Sequence, residues 1–429
     1  MARNMDWSLA GELTKKTQEE IEKIEKVHIL VVGKTGVGKS TLINSIFREK
    51  LAETGIGQPI TKHLRKIEKE GVPMVLYDTR GLELDTETQM QVTGEIDETL
   101  AEMVQNQEHM HVAYYCINAS SSRMEDMEIR LIEYLASKIP VILVLTQSVG
   151  EQALNFEQYL VNQNLPVQAV IRLMAKDYKI TDEFIIPAYG LKELVERTFG
   201  LLPHQVHTAF NNAQQIDIER KGRAARRWAR RYIVTTFGVG FTPIPFSDAT
   251  VLVPMQIGMM AHITAIFGIS MDRTTTLGIL GAIGGTGSAT YLGRLIVSNL
   301  VKFIPGIGSV AGGMISGTTA SIITTALAMS YIEVLTVIAT AEANGEEVSP
   351  RTVRKLMKDL YGQRLQRGQN DPDFQAAMAD IETKKGQDAE RNKAKEASRE
   401  TPLDDKVKEN VQKARINWPK WSFRNRKRE

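Results

Sequence analysis

Gly33-Lys34-Thr35-Gly36-Val37-Gly38-Lys39-Ser40 follows the apolar run Val27–Val32 and leads into a helical pattern over Ser40–Phe47. A strand, a glycine-rich loop and a helix in that order give the spacing G-x-x-x-x-G-K-[ST] its physical meaning. Glycines let successive backbone N–H groups converge on phosphate oxygens, and the partially positive helix N-terminus faces the same anion. Lys39 would reach the terminal phosphates, and Ser40 would offer its hydroxyl to Mg²⁺. Gly33, Lys34, Thr35, Gly36, Val37, Gly38, Lys39, Ser40 and Thr41 are therefore the expected phosphate-binding set.

The pattern on either side of this loop sets the fold class. Val72–Tyr77, His111–Ile117, Pro140–Leu145 and Phe184–Pro187 are short apolar runs, with an edge strand expected around Thr61–Glu68. Amphipathic stretches such as Met124–Ser137 and Leu191–Arg197 alternate with them. Strands of this length separated by helices predict an α/β domain over 27–200, with a mostly parallel sheet covered on both faces.

Asp78-Thr79-Arg80-Gly81 closes the run Val75–Tyr77, one strand beyond the loop. A carboxylate there can hold Mg²⁺ through water, and the Gly81 N–H can sense a γ-phosphate. Between the two motifs lies Pro59-Ile60-Thr61-Lys62. Thr61 is the first candidate for a switch threonine on Mg²⁺, with Thr54 competing and an ordinary strand threonine as the plain alternative. Ser40, Thr61 and Asp78 make up the expected metal set, and Lys39, Thr61 and Gly81 the expected catalytic set.

Together Gly33–Ser40, Pro59–Lys62 and Asp78–Gly81 resemble the Era/TrmE-like GTPases, the group related to HSR1 and the 50S ribosome-binding GTPases. That resemblance implies hydrolysis of GTP to GDP and phosphate. It also implies base contacts from Thr146, Gln147 and Ser148, and from Ala188 in the last base-contacting loop. Two departures stand out. Val149 occupies the place of the aspartate that reads guanine, with Glu151 or Asp177 as outside sources of a carboxylate. Leu82 follows Gly81, where Ras-like enzymes carry a water-positioning glutamine, so hydrolysis is expected to be slow alone. Arg80 and Arg123 are candidate charge-stabilising arginines, with plain surface arginines as the alternative.

The remaining organisation is read as a charged amphipathic helix over 1–26, a basic connector over 201–231, an apolar helical domain over 232–343, an amphipathic helix over 344–368 and a charged, disordered tail over 369–429. Arg220 to Arg231 carries seven basic residues and abuts apolar sequence. Thr274–Gly293 and Phe303–Ile332 are long enough to cross a bilayer, and Gly308-x-x-x-Gly312 would allow close helix approach. With Pro243-Ile-Pro245-Phe-Ser-Asp248, Pro254-Met-Gln256-Ile-Gly-Met259 and Phe267-Gly268, residues 224–338 resemble an uncharacterised bacterial domain family that accompanies GTPase domains and is commonly predicted to be membrane-embedded. Asp248 and His262 are the ionisable residues of the first apolar stretch, read as functional if they lie in a bilayer, with a helix cap after Pro245 as the equal alternative for Asp248. The stretch Lys413–Arg428 interleaves tryptophan and phenylalanine with basic side chains.

The net charge of +2 and 24% charged residues exclude neither a soluble nor a membrane-bound protein. One cysteine excludes an intrachain disulfide framework. The opening residues lack a signal-peptide core, so the bulk is expected in the cytosol, associated with membrane and multi-pass if the apolar runs span. The expected partners are GTP and GDP, a lipid surface and a second copy of the G domain. Ribosome or RNA contact is the less favoured alternative, and a regulated scaffold or pore with little turnover is the third.

Overall fold

In a computed structural model the described residues are 2–48, 56–61, 63–79, 86–239, 249–284 and 317–383, with 387 and 390. The chain divides into two compact units, 1–374 and 375–429. In the second, residues 375–383 are helical. Everything below concerns the first unit.

The sheet has seven strands: β1 (Val27–Val32), β2 (Ile56–Pro59), β3 (Leu64–Lys69), β4 (Val72–Thr79), β5 (Val112–Asn118), β6 (Val141–Thr146) and β7 (Ala169–Arg172). Their order is β2-β3-β4-β1-β5-β6-β7. β4, β1, β5, β6 and β7 run parallel, while β2 and β3 are antiparallel at one side. β1, β4 and β6 are buried at every position, as central strands covered on both faces must be. The covering helices on the two faces include α2 (Lys39–Ile46), α3 (Thr86–Gln105), α4 (Asp126–Ala136), α5 (Gly150–Asn162) and α6 (Leu191–Leu201). Alternate strand residues feed two apolar cores, one built around Ile29, Val31 and Phe210, the other around Leu30, Val32 and Phe156.

Two strand expectations are corrected. The strand begins at Leu64, and β3 is not an edge, because β2 lies outside it. Phe184–Pro187 is not a sheet strand. Ile185–Ile186 (β9) pairs only with Tyr178–Lys179 (β8) in a separate hairpin, with Tyr178, Phe184 and Ile185 at least half exposed. The last sheet strand is β7, a four-residue stretch next to β6. The first core also extends past residue 200, because Val206, Ala209, Phe210 and Ala213 of the segment leading through α7 (His207–Ala213) belong to it.

Helices dominate after residue 213: α8 (Ile218–Val239), α9 (Ala249–Phe267), α10 (Arg273–Gly284), α11 (Gly317–Ala343) and α12 (Pro350–Arg367). The N-terminal helix α1 (Ala2–Glu22) packs on α9 and α10, with Ala10 and Leu13 buried. Ser349 caps α12 through its Oγ, which accepts from the Thr352 N–H at 3.2 Å, and Pro350 stands in the first turn. Val353, Met357 and Tyr361 form its buried face.

Among the described residues one helix, Thr318–Ala343, is long and apolar enough to cross a bilayer, and 83% of its apolar window is buried within the protein. Its neighbours are α8, α9 and α12. That burial is what a core helix shows, so the multi-pass expectation finds no support. Thr274–Gly293 is described only as far as Gly284, and Gly308, Gly312, Asp248 and residues 391–429, the aromatic and basic tail included, lie outside the described residues. His262 is a packing residue: its ring stacks on Trp228 at 4.0 Å, and Nδ1 lies 3.0 Å from Glu20 Oε2 of α1.

Much of the basic run is also used internally. Lys221 is buried and donates to Phe267 O at 2.6 Å. Arg220 lies over the Phe199 ring at 4.3 Å, and Arg226 reaches Asp373 at 3.5 Å. Arg223, which pairs with Glu219 at 3.6 Å, lies with Arg227 and Arg231 on the exposed side of α8.

Candidate functional site

The loop after β1 has the conformation its glycines allow. Gly33, Gly36 and Gly38 have φ of 149°, 81° and 97°. A side chain at Gly33 would place Cβ 2.4 Å from the Cys116 carbonyl oxygen, so the loop can pass β5 only with glycine there. Gly38 is the N-cap of α2 and offers no side-chain cap, which leaves first-turn N–H groups directed into the loop.

Lys39 folds back over the loop, and its Nζ donates to Gly33 O at 2.7 Å and Lys34 O at 3.0 Å. Burial lowers the pKa of this ammonium, and the nearby Asp78 carboxylate partly offsets the shift. Lys34 anchors the outer side of the loop to α4 through Glu125 at 2.9 Å and Glu128 at 3.5 Å. The hydroxyl of Thr146 holds the inner side by donating to Val37 O and Ile117 O.

Thr35, Gly36, Gly38, Lys39, Ser40, Thr41, Asp78, Thr79, Arg65 and Gln147 line one cavity of about 580 Å³. It opens at the carboxyl ends of the parallel strands, where ligands bind in open α/β sheets. Strand order arranges its walls. Gln147 follows β6, the loop follows β1, Asp78 closes β4, and Arg65 opens β3.

The expected residues separate into those the fold gathers and those it does not. Lys39, Ser40, Thr41 and Asp78 meet in the cavity. Gln147 joins them in a left-handed conformation, φ 51°, with its Oε1 accepting from Asn118 Nδ2 at 3.3 Å. Thr146 and Ser148 are buried behind it, with the Ser148 hydroxyl donating to Leu145 O. Ala188 is exposed beyond the hairpin, and its N–H donates to Asp177 Oδ1 at 2.8 Å.

Thr61 does not line the cavity. Its hydroxyl donates to Glu95 of α3 and accepts from the Leu64 N–H at 3.0 Å. The His63 N–H donates to the same carboxylate, and the His63 ring lies 3.0 Å from it. Burial pushes the Glu95 pKa up, but the bonds from Thr61 and His63 outweigh it and hold the carboxyl below its usual value. Arg123 sits on an exposed loop. Thr54, Arg80, Gly81 and Leu82 lie outside the described residues.

Sequence reasoning missed three features here. Arg65 was hidden inside a strand, where its pairing with Asp78 becomes visible only through the β3–β4 register. Asn118 stands at the end of β5 beside Gln147. The segment Leu173–Asp177 leaves β7 next to the base-side loop, and the Ser148 N–H donates to Leu173 O at 3.2 Å. The short apolar run Ala169–Ile171 was its only signal.

Residues 28–147 match the family model described as 50S ribosome-binding GTPase. Over 131 residues the chain is 29% identical to a tRNA modification GTPase MnmE of Ralstonia nicotianae, covering 29% of this chain and 27% of that protein. A second tRNA modification GTPase MnmE, of Treponema denticola, is 26% identical over 215 residues, 48% of this chain and 41% of its own. Translocase of chloroplast 108 of Physcomitrium patens is 42% identical over 77 residues, 18% of this chain and 8% of that protein. The chain thus spans less than half the length of each of these relatives. The sheet, the phosphate loop and these similarities agree: the N-terminal half of the chain is a P-loop G domain of the GTPase type, followed by a helical region.

Proposed function

We propose that the chain binds GTP with Mg²⁺ in the 580 Å³ cavity and hydrolyses it to GDP and phosphate, as a switch that acts on the helical region. The observation that carries this reading is the convergence of Lys39, Ser40 and Asp78 on that one cavity. A Mg²⁺ ion is held in such sites by one or two protein oxygens together with phosphates and water. The Ser40 hydroxyl and Asp78 carboxylate fit that donor set, and no denser cluster of ligands is needed. Held there, the ion would supply positive charge that neutralises the charge developing on the phosphates.

The residues of the chain bind and orient. Lys39 exchanges its two carbonyl partners for phosphate oxygens, and the first turn of α2 donates N–H groups to the same anion. Thr61 is the switch candidate: its hydroxyl is bonded to Glu95, and it would have to leave that carboxylate to help hold the metal. Gly81, by the resemblance, senses the γ-phosphate. Gln147 with Asn118 lies at the base end, and Ala188 with Asp177 supplies a second group of base-side candidates. With Leu82 in the water-positioning place, turnover is slow until a partner contributes, a second copy of the G domain included.

Phosphate release from GTP by the full chain tests this, with Lys39→Ala as control. Measurable release by the wild type and none by the variant is expected; equal release by both removes the assigned site.

Attachment to an anionic lipid surface is a second reading, favoured by Arg223, Arg227 and Arg231 spaced four residues apart on the exposed face of α8. The likeness of 224–338 to a helical companion family supports it. Flotation with anionic vesicles at varied salt tests it. Salt-sensitive flotation is expected, and a protein that never floats but stays with added RNA would favour the RNA alternative.

A further inference from the structure

We propose that Arg65 contacts the γ-phosphate and stabilises the charge that develops there during hydrolysis, a role supplied from within the chain. The proposal rests on the GTPase reading above.

Arg65 pairs directly with Asp78 across the antiparallel β3–β4 ladder. Directly opposed residues project their side chains to the same face, and both line the same cavity. The pair stands at the carboxyl end of β4, level with the mouth of the phosphate loop. Strand order then sets which end of a nucleotide Arg65 meets. From β6, which leads to Gln147, to β3 is four strand spacings, roughly 19 Å at about 4.8 Å each. The phosphate loop lies between them after β1. A nucleotide with its base beside Gln147 and its phosphates over Gly33–Ser40 therefore points its terminal phosphate toward Asp78 and Arg65.

The guanidinium itself asks for an acceptor. Its Nε is buried and makes no hydrogen bond among the described residues. A buried donor left without an acceptor is costly, and a guanidinium matches phosphate oxygens through its fixed fork of N–H groups. Among the described residues lining the cavity the other cation is Lys39, held on the loop side by the Gly33 and Lys34 carbonyls. Arg65 stands on β3, across β4 from the loop that follows β1, so the two cations would flank the transferring group.

In the reaction the water oxygen bonds to the γ-phosphorus, and the bond from that phosphorus to the bridging oxygen breaks. The electron pair of the broken bond stays on the β-phosphate of GDP. The water protons leave with inorganic phosphate and solvent. Charge spreads over the γ-phosphoryl oxygens during this step, and preorganised donors there lower the barrier. Arg65 transfers no proton.

Single-turnover hydrolysis under saturating GTP and Mg²⁺ tests the role in wild type, Arg65→Ala and Arg65→Lys, with GDP affinity measured alongside. Expected for Arg65→Ala is a fall in rate of roughly 100-fold or more with GDP affinity within about twofold, since the contact is made to the γ-phosphate alone. Arg65→Lys should recover part of the rate, because charge returns without the fork. Affinity for a non-hydrolysable GTP analogue relative to GDP should also fall, by about tenfold, whatever the basal rate. Wild-type rate and an unchanged analogue-to-GDP ratio in Arg65→Ala overturn this proposal alone. Equal loss of GDP and analogue affinity overturns it too, as that marks general support of the site. A wild type that binds neither nucleotide overturns the GTPase reading and this role together.

Discussion

Asn212 joins Arg48 to the helical region: its Oδ1 accepts from Arg48 Nη2 at 2.7 Å, while its Nδ2 donates to Ala265 O of α9. Arg48 directly follows α2 and Phe47, at the far end of the phosphate-loop helix, and also donates to Gly71 O in the β3–β4 turn at 2.6 Å. Gly268, with φ 69°, passes so close that a Cβ would lie 2.3 Å from Asn212 O. Gln215 adds a parallel tie, donating to Asn44 O and Ser45 O. The end of α2, the connector and the helical region thus share one buried polar joint.

Breaking that joint should cost both stability and communication. Asn212→Ala removes a donor and an acceptor from a fully buried site and leaves their partners unpaired. The expected loss is about 2–4 kcal/mol by chemical denaturation. The same variant should weaken any difference between GTP- and GDP-bound hydrogen exchange in α9. Wild-type stability together with an unchanged exchange difference would remove the joint from the account.

Val149 is the N-cap residue of α5, extended at φ −131° and ψ 135°, and contributes no side-chain cap. Val149→Asp supplies both a cap and the carboxylate that guanine recognition uses in similar proteins. Helix capping should add about 1 kcal/mol, and preference for GTP over ATP should rise by at least about tenfold. Titration of the variant with both nucleotides checks the second effect, and an unchanged ratio would show that the base is read elsewhere.

His28 supplies a pH dependence whose sign follows from its site. Burial, with smaller contributions from His111 and nearby lysines, lowers its pKa from 6.5 to about 3. Between these values the unfolded chain binds a proton that the folded chain does not, so stability falls as pH drops below 6.5. At pH 5 the loss relative to pH 7.5 is about 2 kcal/mol from this residue, 1.5 units at 1.36 kcal/mol each. Denaturation curves at the two pH values should show it, and His28→Phe should flatten that part of the profile. A wild-type profile without the acid-side drop would contradict it.

The site was legible where local chemistry and fold coincide. Gly33–Ser40 needs no tertiary information, because the backbone freedom of three glycines and the following helix already define the cradle. β1 and β6 were similarly plain, being apolar throughout. β7 was not, since four residues ending in Arg172 carry too little apolar signal beside Phe184–Pro187, whose hydrophobic side chains face solvent on the hairpin. Arg65 was invisible for a different reason. A basic residue in Leu64–Lys69 reads as a solvated strand position until the register sets it opposite Asp78. The apolar stretches misled in the other direction, because Thr318–Ala343 has the composition of a membrane span and the burial of a core helix. Composition reports that surface must be covered, not what covers it.

The central claim is a guanine nucleotide held by the loop around Lys39, and its most direct test is a competition titration of GTP against ATP in the wild type and in Lys39→Ala. The account predicts that GTP displaces a bound fluorescent guanine nucleotide at least about tenfold more effectively than ATP, and that Lys39→Ala loses roughly 100-fold or more in affinity for GTP. Equal competition by ATP, or unchanged GTP binding in Lys39→Ala, would contradict it.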